Sequence, residues 1–90
     1  MNSHDLKSWP EYFEPVQKQL KTFELRKNDR NYQVGDTLIL REWDPASKTY
    51  TGRTVSRRVT YILPHLPEAG CAATFGLMAD HVIMSLEEAR

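Results

Sequence analysis

The sequence predicts an α+β fold that is mostly β: a small, mostly antiparallel barrel of about five strands with one N-terminal helix packed beside it. Three observations carry this. Short runs with period-two alternation recur at residues 4–8, 22–26, 37–43, 50–63 and 81–86. Residues 10–20 have instead the three- and four-residue apolar spacing of an amphipathic helix. Closing short strands on themselves removes exposed edges, which suits a chain of 90 residues that can bury only one core.

The elements follow in order. His4–Ser8 reads as a first strand with His4, Leu6 and Ser8 on one parity. Ser8-Trp9-Pro10-Glu11 has the form of a capping box with an early proline, so a helix is expected over Pro10–Leu20, with Tyr12, Phe13, Val16 and Leu20 as its apolar stripe. Pro15 removes a helical hydrogen bond, predicting a kink or a second start at Glu14. In the strand Thr22–Arg26, Phe23 and Leu25 are expected to point into the core, leaving Thr22, Glu24 and Arg26 together on the opposite face with Lys21 at the entrance.

Lys27–Asn31 holds no apolar residue and reads as a loop, anchored at its far end by Tyr32 and Val34. Gly35-Asp36 makes the turn into the strand Thr37–Trp43, where Leu38 and Leu40 oppose Ile39, Arg41 and Trp43. Asp36 is expected to fix that turn by bonding backbone N–H groups, and His4 to be structural. Residues 44–49 form a turn, and Tyr50–Leu63 should return as a hairpin. Pro64–Ala79, which contains two prolines and two glycines, reads as a long loop. His81–Leu86 should close the sheet, with Val82, Met84 and Leu86 on one face, and Glu87–Arg90 should be a solvated tail.

Composition excludes several functions. The chain reads as one domain over 1–90, without repeat or linker. A single cysteine, Cys71, and the lack of a signal peptide or long apolar run point to a cytoplasmic protein with no membrane contact. His4, His65, His81 and Cys71 lack metal-ligand spacing, and no glycine-rich phosphate loop or nucleophile elbow exists, so no metal, cofactor or serine triad is expected. Twelve basic and twelve acidic residues cancel, but residues 21–58 carry nine basic against five acidic. That asymmetry favours a local positive surface for phosphate.

The run Lys21-Thr22-Phe23-Glu24-Leu25-Arg26, followed by Gly35-Asp36, resembles the G-x-K-T-x-E-x-R and G-D signature of the ASCH superfamily. Residues 4–7, 9–13, 26–30 and 40–45 resemble its short bacterial and phage branch. The resemblance implies a PUA-like β-barrel with a cleft beside the helix and the strand bearing Lys21, Glu24 and Arg26.

Three functions are therefore expected in competition. The favoured one is a binding module for RNA or a nucleotide. A base would lie against Glu24 and Arg26, with Lys7, Lys21, Lys27, Arg30, Arg57 and Arg58 as further ligand contacts and Trp9, Tyr12, Trp43 and Tyr50 as stacking surface. Arg57 and Arg58 are adjacent on a strand, so only one can face a given surface.

The second is catalytic. One ASCH branch hydrolyses the acyl amide of N4-acetylcytidine, using a lysine matching Lys21 and a nucleophilic threonine at the position of Glu24. The chain departs there, leaving Glu24 as general base, Lys21 and Arg26 as electrostatic stabilisers, and Thr22 as a weaker nucleophile candidate; metal-independent RNA cleavage is the related possibility. The third is a protein-interaction adaptor.

Overall fold

The structure is a computed structural model that describes residues 1–64 and 77–89. Its elements are β1 (Ser3–Ser8), α1 (Pro10–Gln17), β2 (Phe23–Lys27), β3 (Thr37–Asp44), β4 (Thr49–Pro64) and β5 (His81–Glu88). One sheet in the order β1-β3-β4-β5-β2 holds all five strands, strongly curled into a half-barrel, with α1 across it. The expected mostly β architecture is therefore what the chain adopts. The sheet is antiparallel except for β1 and β3, which run parallel from Ser3↔Thr37 to Ser8↔Glu42. A parallel pair needs a long crossover, and residues 9–36, carrying α1 and β2, supply it.

Alternation decides the core. Leu6 of β1, Leu38 and Leu40 of β3, Val59 of β4, and Val82, Met84 and Leu86 of β5 face the concave side and meet Phe13 and Val16 of the helix. The parities expected for β1, β3 and β5 hold. The hairpin of β3 with β4 also holds, with a bulge between Arg41 and Trp43.

Several expectations are corrected. Ser8 is buried at the end of β1 and the N-cap of α1 is Trp9, which makes no side-chain cap bond; the strand claims the serine that a capping box would use. The helix runs through Pro15 without a second start but stops at Gln17. There Gln19 adopts φ +61°. Its N–H bonds the Val16 carbonyl (3.0 Å), and that of Leu20 bonds the Pro15 carbonyl (2.8 Å). This is the Schellman arrangement, with glutamine in the left-handed position that glycine usually marks. The apolar stripe accordingly narrows to Phe13 and Val16, leaving Tyr12 and Leu20 exposed.

Tyr32 is buried but Val34 is exposed and anchors nothing. Strand β5 continues to Glu88, so residues 87 and 88 belong to the sheet and not to a tail. The expected loop from Pro64, with His65 and Cys71, falls largely outside the described residues.

Two polar contacts lock the frame. Asp36 is buried, and its carboxylate accepts from the backbone N–H groups of Asn2 and Gln33 (both 3.0 Å) and sits 2.9 Å from His4 Nε2. It thereby ties β1 to the start of β3, the turn-fixing role expected of it. Burial pushes the Asp36 carboxyl up, but the bonds from His4, Asn2 and Gln33 outweigh it and hold it below the ordinary aspartate range.

Arg53 of β4 ties down the helix. It reaches Glu14 (2.5 Å) and Gln17 (2.9 Å) on α1 and Glu42 (3.2 Å) on β3, with its guanidinium 5.0 Å from the centre of the Phe13 ring. That clamp ties the second half of α1 to β3 and β4.

Candidate functional site

Strands β1 and β2 are the two edges of the sheet, and a cleft of about 890 Å³ lies where they approach. Main-chain bonds fix which backbone groups remain free there. Leu86 N–H donates to the Thr22 carbonyl (2.9 Å) and Asn28 N–H to the Asp80 carbonyl (2.7 Å), so even-numbered residues of this stretch bond β5. Alternation then turns the N–H and C=O of Phe23, Leu25 and Lys27 to the open side. Likewise Thr37 N–H bonds the Asn2 carbonyl (2.9 Å), which directs even residues of β1 toward β3 and the backbone of Lys7 outward. The cleft is thus a seam between two free strand edges.

Arg26 spans that seam. Its Nη2 donates to the Lys7 carbonyl at 2.7 Å, and its Nε donates to Glu24 Oε2 at 2.5 Å. The other oxygen of Glu24 accepts from Lys21 Nζ at 3.2 Å. Glu24 is only 5% exposed, so its charge is held almost wholly by these two cations. A buried carboxylate needs such partners, because its desolvation cost is otherwise uncompensated. Among the described residues no buried side-chain nitrogen or oxygen lacks a hydrogen bond.

This inverts the expected orientation of β2. Glu24 faces inward with Arg26 beside it, while Phe23 is 46% and Leu25 51% exposed. Hydrophobicity alone assigns Phe23 and Leu25 to the core. The pairing register with β5, Phe23↔Ser85 through Lys27↔His81, instead places the polar set over the seam.

The cleft therefore gathers Lys21, Glu24 and Arg26 as expected, together with Lys7 and Lys27. Trp9 and Tyr12, both about half exposed, form its apolar side together with Phe23 and Leu25. Lys21 Nζ lies 5.6 Å from the Tyr12 ring centre and 5.3 Å from that of Phe23. Lys27 is paired loosely with Asp80 at 3.9 Å.

Four expected residues are elsewhere. Arg57 donates to the Val16 carbonyl at the end of α1 (3.0 Å), and Arg58 pairs with Glu87. They face opposite sides, as adjacent strand residues must, and neither lines the cleft. Arg30 is exposed on the loop after β2, and Thr22 contributes only its carbonyl to the sheet; both side chains lie outside the lining. Their positions come from register and loop course, which charge patterning does not encode.

Glu11, Pro15 and His81 line the cleft without having been singled out for it, as do Ser8, Phe23 and Leu25. Glu11 and Pro15 share the helix face that carries Tyr12 and Trp9 at the cleft, and His81 arrives by its pairing with Lys27. Helical spacing could have found the first two, whereas His81 depends on a pairing between distant segments. His81 Nδ1 lies 2.7 Å from Asp80, and that contact, ahead of others, holds the Asp80 carboxyl below its ordinary range.

Among the described residues no group of three or more His, Cys, Asp or Glu side chains is placed to hold a metal ion. No helix among them is long and apolar enough to cross a membrane.

Comparisons with known proteins find a phage relative and a matching family. A protein of Escherichia phage P2, described as "Uncharacterized 12.9 kDa protein in GpA 3'region", is 47% identical over 57 residues. The alignment covers 63% of this chain and 50% of the phage protein, so the chain spans about half the length of that relative. The family described as "Domain of unknown function (DUF3850)" matches residues 3–86, from the first strand into the last. The chain belongs to the DUF3850 family.

Proposed function

We propose that the chain is an RNA- or nucleotide-binding module whose ligand lies in the seam between β1 and β2. One observation carries this reading: Glu24, buried and clamped by Lys21 and Arg26, sits in an open cleft beside the exposed rings of Trp9 and Tyr12. A nucleobase needs a planar apolar surface for its face and fixed donors and acceptors for its edge. Trp9 and Tyr12 offer the first. Glu24, with acceptor capacity beyond its two bonds, and Arg26, with N–H groups beyond the two it uses, offer the second.

Lys7, Lys21 and Lys27 around the rim suit the attached phosphate. The likeness of Lys21 to Arg26 to the ASCH signature supports the same reading. Thr22 lies outside the cleft lining, so a hydrolytic reading falls to Glu24 acting on water, and no contact favours it over binding.

The test is titration of the purified protein with the four ribonucleoside monophosphates, with modified nucleosides and with short RNAs, read by calorimetry and by chromatography of products. Saturable binding that falls at least tenfold in Glu24→Gln and Arg26→Lys supports the module. A new product formed with turnover replaces it by the hydrolase. Absence of binding to every nucleotide and short RNA removes both readings and leaves the adaptor.

A further inference from the structure

On the convex face, beside the cleft, Lys7 of β1 and Arg41 of β3 stand directly opposite each other in the parallel ladder. Like charges so placed repel. Six of the described lysines and arginines have a carboxylate within ion-pair distance: Lys18, Lys21, Arg26, Lys27, Arg53 and Arg58. Lys7 and Arg41 have none among the described residues. Each lies on a ring instead, Lys7 Nζ 4.0 Å from the centre of Trp43 and the Arg41 guanidinium 4.3 Å from that of Tyr50. The two rings meet edge to face at 5.0 Å across the β3·β4 pair.

Two uncompensated cations on two rings form a surface that suits an anion carrying aromatic faces. Lys7 joins this surface to the cleft, because its carbonyl receives Arg26 while its ammonium covers Trp43.

We propose that Lys7, Arg41, Trp43 and Tyr50 form a second nucleotide subsite continuous with the cleft, so that the ligand is a single-stranded polynucleotide that crosses from the seam onto the convex face. This rests on the reading of the cleft as a nucleotide site. A base stacks on the exposed Tyr50 ring beside Trp43, and the phosphate linking the two subsites passes between Lys7 and Arg41. RNA and DNA share that chemistry; a 2′-hydroxyl contact would distinguish them.

The experiment measures binding of a mononucleotide, a dinucleotide, hexamers of RNA and of DNA and a polyphosphate of matched charge by competition, in the intact protein and in Arg41→Ala/Tyr50→Ala. Thermal melting checks that the variant folds. In the intact protein at least one hexamer should bind about tenfold or more tighter than the mononucleotide, a single stacked base being enough for that gain. The double variant should lose the gain while keeping mononucleotide affinity.

Equal affinity for mononucleotide and hexamers in the intact protein overturns the second subsite and leaves the cleft standing, whatever the variant does. Equal affinity for a hexamer and a polyphosphate of matched charge also overturns it, since stacking would then contribute nothing. Failure of every nucleotide to bind removes the cleft reading and this one together.

Discussion

The guanidinium of Arg26 bonds the main-chain carbonyl of Lys7 at 2.7 Å, joining the two free edges of the curled sheet through a side chain where no backbone ladder exists. The same side chain neutralises Glu24, so the residue that spans the seam also orients the acid in the cleft. Arg26→Lys keeps the charge but cannot make both bonds at once, because lysine presents one compact donor group in place of a planar fork. Ligand affinity should fall by about 1.4–3 kcal/mol, tenfold or more, and amide exchange along β1 should accelerate. Unchanged exchange and unchanged affinity would show that the bridge is incidental.

Glu24→Ala leaves Lys21 and Arg26 facing each other without their shared anion. Both cations are partly solvated, so the stability loss should be about 1–2 kcal/mol, below that of a fully buried pair. Denaturant melts read the cost. A loss under the experimental error would mean that water replaces the carboxylate without penalty.

Phe23 and Leu25 give a test of orientation. If they faced the core, truncation to Ala would cost about 2–5 kcal/mol. Half exposed on the open side of β2, Leu25→Ala should cost less than about 1 kcal/mol. Chemical denaturation of that single variant separates the two.

Gln19 holds a left-handed conformation at the end of α1 that glycine adopts without steric cost. Gln19→Gly should therefore raise stability by about 0.5–1 kcal/mol, less what the exposed bond to Glu88 contributes. A lower melting temperature in this variant would contradict the assigned helix end.

Asp36 makes stability depend on acid pH. Its native carboxyl lies below the ordinary range, so the unfolded chain binds the proton more readily. The stabilisation is complete above about pH 4, the unfolded value, and is lost as pH falls through the lower native value. Asp36→Asn should flatten this part of the stability profile and lower stability at pH 7 by about 2–4 kcal/mol, since His4 and the Asn2 and Gln33 amides lose their shared acceptor. A parallel acid limb in wild type and variant would assign the effect to other carboxylates.

The sequence by itself determined the strand and helix inventory, the inward faces of β1, β3 and β5, the turn-fixing role of Asp36, and the trio of Lys21, Glu24 and Arg26. Those are local matters, set by period-two or helical spacing and by turn chemistry within a few residues. Only the tertiary structure decided that β2 turns Glu24 inward and Phe23 outward, that β1 pairs in parallel with β3, that Arg57 bonds the helix end and Arg58 pairs with Glu87 of β5, and that Lys7 meets Arg26 across a seam. Side-chain facing follows from register, and a shift of one residue exchanges the two faces of a strand. Register depends on partners far away in sequence. For β2 the partner is β5, and the ion pairs available over the cleft outweigh the apolar preference of two residues at a sheet edge.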